Sequence, residues 1–367
     1  MKRGICIKIG IIDADLIGRK RHRFPNLACM KISAYHKNLG SDVKLITDYE
    51  DLNGFEKIYL SKVFTDTIVP DWVLNIPNIE FGGTGFYFDK APDLPDYIEH
   101  QMPDYHLYDE WVQKQIDKGV KKTELKEYTD YSIGFLTRGC FRKCKFCVNQ
   151  KYDRVCPHSP LDEFYDPSRK KICLLDDNFL GCPNWKEMLL ELKNTGKPFK
   201  FKQGLDERIL TKEKCEILFS CKYDSDIYFA FDDIDDYKII EEKLKLIKQY
   251  SDRQCAFYVL CGFDKRNLYD MDFWKKDIED TFKRIELLMN YKMIPYIMRF
   301  NKYEESPYRG MYINLARWCN QPSFFKKKSF KDFCTMDCHI GKATERYLLD
   351  FLEQNEDFDE KYLTMRY

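Results

Sequence analysis

The sequence predicts an α/β protein in which an open parallel unit precedes a longer region of regular strand–helix units. Residues 5–12 form a nearly continuous apolar run, as expected of a strand buried on both faces. Further apolar runs alternate with helical stretches, a pattern typical of parallel sheets. From residue 131 the alternation is regular, with six units in about 170 residues, or about 28 each, whereas an eight-unit barrel needs about 31 each. The span therefore fits six units and not eight.

In the first region, Asn26 is placed to cap a helix that runs to Asn38, with Gly40 at its C-terminal end. Three prolines then interrupt the chain, and the polar, lysine-rich residues 118–127 mark a boundary. The predicted strands of this region are residues 5–12, 43–46, 57–60 and 79–81.

In the second region, helices are clearest at residues 185–193, 212–219, 237–250 and 273–290, and a less regular helix is expected within 148–169. The six predicted strands are residues 132–136, 171–175, 199–202, 227–231, 256–262 and 294–299. We therefore expect three domains: residues 1–125, an open α/β domain; residues 126–305, the six-unit region; and residues 306–367, a helical extension containing cysteines.

Charge, cysteine content and the distribution of apolar residues limit the classes of protein to which the chain can belong. The 60 lysine and arginine residues balance 60 aspartate and glutamate residues, which argues against a chain coated with basic residues for nucleic acid but leaves a local patch open. There are 15 cysteines among 367 residues, an odd number at low density. The first residues lack the apolar run of a signal peptide, and no stretch approaches the roughly 20 apolar residues of a membrane span. We therefore expect a cytoplasmic protein, without a membrane partner, whose clustered thiols bind metal or take part in catalysis.

The strongest local signal is the segment Gly-Cys-Phe-Arg-Lys-Cys-Lys-Phe-Cys at residues 139–147, just after the first strand of the six-unit region. Three thiols at this spacing, Cys140, Cys144 and Cys147, suit an iron–sulfur cluster or zinc. Three thiolates leave one iron of a 4Fe–4S cluster open to a cofactor or substrate. The basic side chains of the segment would partly offset the negative charge of cluster and thiolates.

This segment resembles the signature of the radical S-adenosylmethionine superfamily, CxxxCxxC with an aromatic residue before the last cysteine, here Phe146. The resemblance implies a partial (β/α)6 TIM-like barrel and a 4Fe–4S cluster on Cys140, Cys144 and Cys147. It further implies that S-adenosylmethionine is bound at the open iron, with Phe146 near the adenine, and cleaved to a 5′-deoxyadenosyl radical. An electron donor such as flavodoxin or ferredoxin is implied as a partner, and the substrate is not readable.

Polar residues follow the strands of the six-unit region. In barrels of this type, the catalytic residues lie at the C-terminal ends of the strands. The family often has a Gly-Gly-Glu-like motif after the second strand, where this chain has Asp176 and Asp177. The resemblance assigns these two residues and Gln203 to cofactor binding, and makes Arg208 the candidate partner of the methionine carboxylate. Helix capping is the alternative role for residues such as Asp177.

The first domain resembles a Rossmann-like, cobalamin-binding module. In that module the first strand is followed by Asp-x-His-x-x-Gly, then by Ser-x-Leu and Gly-Gly. Asp15 occupies the place of the histidine, and a carboxylate is a poor substitute for imidazole on cobalt. We therefore favour a degenerate module kept for packing or substrate binding over cobalamin bound without a histidine. The matching residues are Asp13, Gly18, Ser61, Val63, Gly82 and Gly83.

Several alternatives stay open. One hypothesis for the reaction is radical cleavage of S-adenosylmethionine with action on an unidentified substrate, and the other is methyl or methylthio transfer to RNA or a small molecule. A non-enzymatic iron–sulfur or zinc protein is the alternative of another class, with Cys156 or His158 as a fourth zinc ligand. The basic run at residues 19–23 is read as a solvated loop in preference to a phosphate contact. Cys319, Cys334 and Cys338, with His339, are candidates for an auxiliary metal site, and free buried thiols are the competing interpretation.

Overall fold

The computed structural model describes residues 7–20, 22, 24–336 and 341–367. The chain forms two compact units, residues 1–202 and residues 203–367. This division does not test the three predicted domains, whose boundaries stay a prediction. In the described part of the chain no helix combines the length and apolar character needed to cross a membrane.

The first unit contains two parallel sheets and a short antiparallel ladder. Its strands are β1 (Lys8–Asp13), β2 (Asp42–Ile46), β3 (Lys57–Ser61), β4 (Ile79–Gly82), β5 (Tyr131–Gly134), β6 (Thr137–Arg138), β7 (Cys156–Pro157), β8 (Lys171–Leu174) and β9 (Phe199–Phe201). Its helices are α1 (Ala14–Gly18), α2 (Leu27–Asn38), α3 (Asp71–Leu74), α4 (Thr84–Tyr87), α5 (Asp96–Glu99), α6 (Asp109–Asp117), α7 (Lys126–Thr129) and α8 (Trp185–Asn194).

The N-terminal sheet has the strand order β2-β1-β3-β4, and all its pairs are parallel. Strand β1 is central and buried from its second residue onward, as its continuous apolar run predicts. Helix α2 begins after Asn26, whose side chain accepts the Cys29 amide, and this confirms the predicted cap. At the carboxyl edge, Asp13, Ser61 and Gly82 lie in one row, because β1 pairs with β3 and β3 with β4 in that register.

The second sheet of this unit, β5-β8-β9, is parallel and supplies the first three strands of the predicted six-unit region. The structure contradicts the helix expected within residues 148–169. Strand β7 and the 3₁₀ turn Leu161–Glu163 occupy that interval, and it contains no α-helix. Pro157, Pro160 and Pro167 explain the difference, because proline lacks the amide hydrogen that an interior helical position needs.

The second unit supplies the other three strands, in the parallel order β10-β11-β12, and three of its helices, at residues 212–219, 237–250 and 271–290, are where the periodicity predicts them. The strands are β10 (Tyr228–Ala230), β11 (Ala256–Cys261) and β12 (Ile294–Arg299). The helices are α9 (Lys212–Phe219), α10 (Tyr237–Tyr250), α11 (Met271–Asn290), α12 (Arg309–Cys319), α13 (Pro322–Phe325), α14 (Phe330–Cys334), α15 (Gly341–Gln354) and α16 (Lys361–Thr364).

Most cysteines outside residues 139–147 pack in the core. Cys6 lies outside the described residues, and Cys156 is half-buried. Those that are buried include Cys29, Cys173, Cys182, Cys215, Cys221, Cys255 and Cys261.

Glu207 is a buried carboxylate in the second unit that makes folding pH-dependent. Its Oε2 accepts the Ala230 amide at 3.0 Å, and its Oε1 has no partner among the described residues. Burial raises the pKa of Glu207 to about 8. The side chain is therefore protonated in the folded protein at neutral pH, whereas it is ionised in the unfolded chain above its ordinary pKa of about 4.5.

We predict that Glu207→Gln stabilises the protein at high pH relative to the wild type. The raised pKa makes wild-type stability fall as pH rises from about 4.5 to about 8, and glutamine removes that fall. The difference in unfolding free energy between variant and wild type should grow by on the order of 4 kcal/mol between pH 5 and pH 9. Denaturant titrations at the two pH values measure it, with Glu216→Gln on the exposed side of α9 as the control. An unchanged difference between the two pH values would contradict the assignment.

Candidate metal centre

The three-cysteine loop is tied at its base by a short ladder. Strands β6 and β7 pair antiparallel, with Thr137 opposite Pro157 and Arg138 opposite Cys156. Residues 139–155 thus form a closed loop. Gly139 begins it with a φ of 98°, and a Cβ at this position would lie 2.4 Å from the carbonyl oxygen of Arg154. Only glycine allows this close approach with that backbone conformation.

Nitrogen–hydrogen groups point at two of the three sulfurs. The Arg142 amide and the side-chain amide of Asn178 each donate to Cys140 Sγ at 3.4 Å. The Asn149 amide donates to Cys147 Sγ, also at 3.4 Å. Donors of this kind stabilise thiolates and set the reduction potential of iron–sulfur clusters. All three cysteines of the loop are half-buried, so their sulfurs can be reached.

Asp177 connects the two ends of the cysteine segment. One carboxylate oxygen accepts the Gly139 amide at 3.0 Å, and the other accepts the side-chain amide of Asn149. Gln150 adds a second tie, because its side-chain amide donates to the carbonyl oxygens of Cys144 at 2.6 Å and Cys147 at 2.8 Å. Asp177 does not cap a helix, so the capping alternative does not describe it.

The amides on Asn149, Gln150 and Asn178 were not among the residues singled out from the sequence. Asn149 and Gln150 directly follow the cysteine motif, and Asn178 directly follows the two aspartates. Their position next to these motifs is the feature of the sequence that could have identified them as part of the site. Their contacts depend on a loop fold that the spacing of cysteines alone does not specify.

The positive charges of the loop are partly balanced within the first unit. Lys143 pairs with Asp153 at 2.8 Å and donates to the Gln150 carbonyl oxygen. Lys151 pairs with Asp93 at 2.6 Å. Pairing with an exposed carboxylate contributes little energy, but it holds the basic side chains close to the loop.

The donor set suits a cluster, although the sulfurs are not already gathered into a ligand shell. In the described part of the chain, no three or more His, Cys, Asp or Glu side chains converge closely enough to hold a metal ion. Three half-buried thiols on one closed loop, with amide donors directed at two of them, are nevertheless the ligand chemistry that iron–sulfur clusters require.

Asp176 forms its hydrogen bonds within the first unit. It is almost fully buried, and it accepts the Leu136 amide at 3.2 Å and both the amide and the hydroxyl of Thr137 at 2.7 Å. Burial raises its pKa to about 7, against the lowering effect of these donors. The carboxylate thereby fixes the segment that leads into the cysteine loop. Its assignment to S-adenosylmethionine stays a prediction.

Arg208 and Gln203 lie in the second unit. Arg208 donates to Asp206 at 2.8 Å and to Asp236 at 2.7 Å, so its guanidinium already holds two carboxylates. Gln203 is exposed. Phe146, in the first unit, is half-buried within the cysteine segment. The proposed contacts of all three with S-adenosylmethionine stay predictions.

Cys156 and His158, the candidate fourth ligands of a zinc site, contact other groups in this structure. His158 Nε2 lies 3.0 Å from Glu99 Oε1, and Lys31 lies 2.7 Å from the same oxygen. Although burial acts to raise it, the contacts with His158 and Lys31 lower the pKa of Glu99 to about 2. Cys156 lies on β7, opposite Arg138. His158 is thus held by a carboxylate in this structure.

Two of the candidate auxiliary ligands, Cys319 and Cys334, are fully buried in α12 and α14. Burial raises the pKa of both thiols, and Cys334 Sγ accepts the Asn314 side-chain amide at 3.5 Å. A buried protonated thiol packs as a small hydrophobic group. Cys338 and His339 lie outside the described residues, so the auxiliary site stays a prediction.

In the N-terminal sheet, Asp15 stands where the module it resembles has histidine. It is fully buried in α1, and it accepts the amides of Val63 at 2.7 Å and Phe64 at 3.4 Å and the hydroxyl of Thr67. Both oxygens therefore anchor the loop that follows β3. Asp13 is also buried, and burial raises its pKa to about 7 despite a 2.8 Å hydrogen bond from Tyr108.

We predict that Asp15→His destabilises the protein and does not create a useful imidazole ligand. Histidine cannot reproduce three bonds to one loop, and the donors left without an acceptor should lower the unfolding free energy by on the order of 3 kcal/mol. Denaturant unfolding measures the loss, with Asp42→His at an exposed position of β2 as the control. Equal stability of the two variants would show that the anchor has no structural role.

Comparisons with known proteins bear on the fold. No protein-family model matches the chain, and no curated protein matches it. Among solved structures, a radical S-adenosylmethionine methyltransferase, TsrM from Kitasatospora setae with cobalamin and a [4Fe-4S] cluster bound, superposes with a TM-score of 0.53 at 11% identity. The match covers 80% of this chain and 75% of that chain.

The chain has the fold of a radical S-adenosylmethionine enzyme. A second TsrM structure, with tryptophan substrate and a S-adenosylmethionine analogue bound, gives a TM-score of 0.52 at 12% identity and covers 79% of this chain and 72% of that one. A cobalamin-dependent S-adenosylmethionine radical enzyme, OxsB, superposes less closely, with a TM-score of 0.45 at 13% identity over 96% of this chain and 62% of that chain. The predicted α/β fold class, a Rossmann-like domain followed by a partial TIM-like barrel, is confirmed.

Proposed function

We propose that this protein is a radical S-adenosylmethionine enzyme that holds a 4Fe–4S cluster on Cys140, Cys144 and Cys147. The observation that carries the proposal is the closed three-thiol loop after β5, with amide donors directed at two of its sulfurs. The fold likeness to TsrM supports it. When bound, the cluster would supply the electron that cleaves S-adenosylmethionine to a 5′-deoxyadenosyl radical.

The residues of this chain would position and tune that centre. Asp177 holds both ends of the cysteine segment, and Asn178 and the loop amides donate to the sulfurs. Lys143 lies in the same loop, where it pairs with Asp153. An external one-electron donor such as flavodoxin or ferredoxin belongs to this proposal, as does a cytoplasmic location.

Methyl transfer is the more specific reaction that we propose, with a small molecule as the acceptor. It is favoured by the likeness to TsrM, a methyltransferase, over a match that covers 80% of this chain. The TsrM structure contains cobalamin. In this chain, Asp15 stands where the cobalamin-binding module that the first domain resembles has its histidine, and the Asp15 carboxylate accepts hydrogen bonds from the loop after β3. The residues at that position therefore do not fit a corrinoid with a protein axial ligand, and we assign cobalamin no step.

Anaerobic reconstitution with iron and sulfide tests the proposal. We expect a brown protein with about four irons per chain that releases 5′-deoxyadenosine when S-adenosylmethionine and a reductant are added. A colourless protein that binds one zinc per chain would overturn it in favour of a non-enzymatic metal-binding protein. A corrinoid absorbance band in the purified protein would show separately that cobalamin binds without the histidine.

A further inference from the structure

Three tyrosines lie together on one face of the β10-β11-β12 sheet. Tyr258 and Tyr296 are register partners on β11 and β12, and Tyr228 lies on the same face of β10, two residues before Ala230, the partner of Tyr258. The rings of Tyr228 and Tyr258 are stacked, with centroids 4.9 Å apart and planes 25° apart. Tyr296 meets Tyr258 edge-on at 5.8 Å. We call these three residues the tyrosine face.

The opposite face of this sheet is core, whereas the tyrosine face is accessible. Phe229, Phe257 and Val259 are fully buried, and helices α11 and α12 contact strands β11 and β12. Tyr296 is 38% exposed, and Met298, two residues along the same strand and face, is 44% exposed. Parallel sheets normally have both faces covered, so an accessible aromatic face marks a binding surface.

The hydroxyl groups of the tyrosine face are not used by the protein. Among the described residues, none of the three hydroxyls forms a hydrogen bond with another group of the protein, and none of the three tyrosines is fully buried. Burial raises the pKa of Tyr258 to about 12 and raises that of Tyr228 as well. The phenols of Tyr258 and Tyr228 therefore stay protonated at neutral pH and present O–H groups at the edges of the rings.

Gly204 leaves room beside this surface. A Cβ at residue 204 would lie 3.0 Å from Cδ2 of the Tyr258 ring and 3.2 Å from the Phe229 carbonyl oxygen. A larger side chain would therefore press on the central ring of the group. Because residue 204 is glycine, the Tyr258 ring can keep its position against Tyr228.

We infer that the tyrosine face binds the substrate through a planar aromatic ring with a polar edge. Planar groups stack on tyrosine rings, and the phenol hydroxyls can donate to acceptors or accept from N–H groups at the edge of the bound ring, which favours a ring with a polar edge over a plain hydrocarbon. An aliphatic hydrocarbon ring of equal size neither stacks on the tyrosine rings nor forms hydrogen bonds with their hydroxyl groups. This inference rests on the proposed function, because it names the class of substrate on which the enzyme acts.

Saturation-transfer difference NMR on the reconstituted protein tests the inference with indole and cyclohexanol as probes. We expect a signal from indole and little from cyclohexanol. Tyr258→Leu should weaken indole binding at least about fivefold, whereas Tyr258→Phe should weaken it less because the ring stays. Tyr250→Leu, at the exposed end of α10, is the control and should leave the indole signal unchanged. Circular dichroism and iron content of each variant establish that fold and cluster are intact.

Three results would overturn the inference: equal signals from indole and cyclohexanol, equal effects of Tyr258→Leu and Tyr250→Leu, or loss of the indole signal when saturating S-adenosylmethionine is added. The last result would assign the tyrosine face to the adenine of the cofactor. Iron content separates these failures from failure of the proposed function, since a protein without a cluster would fail the reconstitution first.

Discussion

Replacing any one of Cys140, Cys144 and Cys147 by alanine is expected to abolish cleavage of S-adenosylmethionine. The three thiols are the loop's sulfur donors, and a cluster held by only two of them would lose iron. Changes to groups that merely support metal ligands cost about 10–100-fold in metal affinity, so loss of a ligand should lower cleavage at least about a hundredfold. The measurements are iron per chain and 5′-deoxyadenosine formed after anaerobic reconstitution.

Cys156→Ala is the matched control for these variants. Cys156 is half-buried like the three loop cysteines and lies on β7, at the base of the same loop. We expect Cys156→Ala to keep its iron and its activity. Full activity in any of the three loop variants would refute the ligand assignment, and loss of metal from Cys156→Ala would favour the zinc alternative.

Asp177→Asn is expected to make the cluster labile while the protein stays folded. An asparagine offers one acceptor oxygen, and its amide group would face a donor, so it cannot hold both the Gly139 amide and the Asn149 side chain. We expect iron to be lost to a chelator about tenfold faster or more, by analogy with other groups that support metal ligands. The cluster's reduction potential should shift as well, since the amide donor of Asn149 to Cys147 Sγ lies in the released segment.

Asp162→Asn is the control for this variant, because Asp162 is an exposed carboxylate of the same unit. Equal rates of iron loss in the two variants would remove Asp177 from the support of the loop. If Asp177→Asn retained its iron and only raised the KM for S-adenosylmethionine, the result would favour the cofactor-binding role that the family resemblance predicts.

Much of the fold followed from periodicity. The six strands of the regular region and the four clearest helices lie within a residue or two of their predicted positions. Asn26 caps α2 as expected, because a cap depends only on residues three apart in the chain. The helix expected within 148–169 was wrong, since its three prolines outweigh a loosely helical pattern.

Less of the candidate site followed from the sequence. The cysteine spacing identified the loop, but Asp176 and Arg208 were assigned to cofactor binding from their place after a strand. In the structure Asp176 accepts a hydrogen bond from the Thr137 amide, and Arg208 forms ion pairs with Asp206 and Asp236. Polar residues at strand ends have several uses, and which use applies depends on what other segments bring to the same edge.

The sequence by itself determined the α/β class, the order of its strands and helices and the spacing of Cys140, Cys144 and Cys147, because these depend on neighbours within a few residues. Only the tertiary structure decided that Asp177 joins the ends of the cysteine segment and that Asp15 anchors the loop after β3. Those contacts join residues 28 to 52 positions apart. A hydrogen bond over that separation is set by strand order and register, which no local pattern of residues specifies.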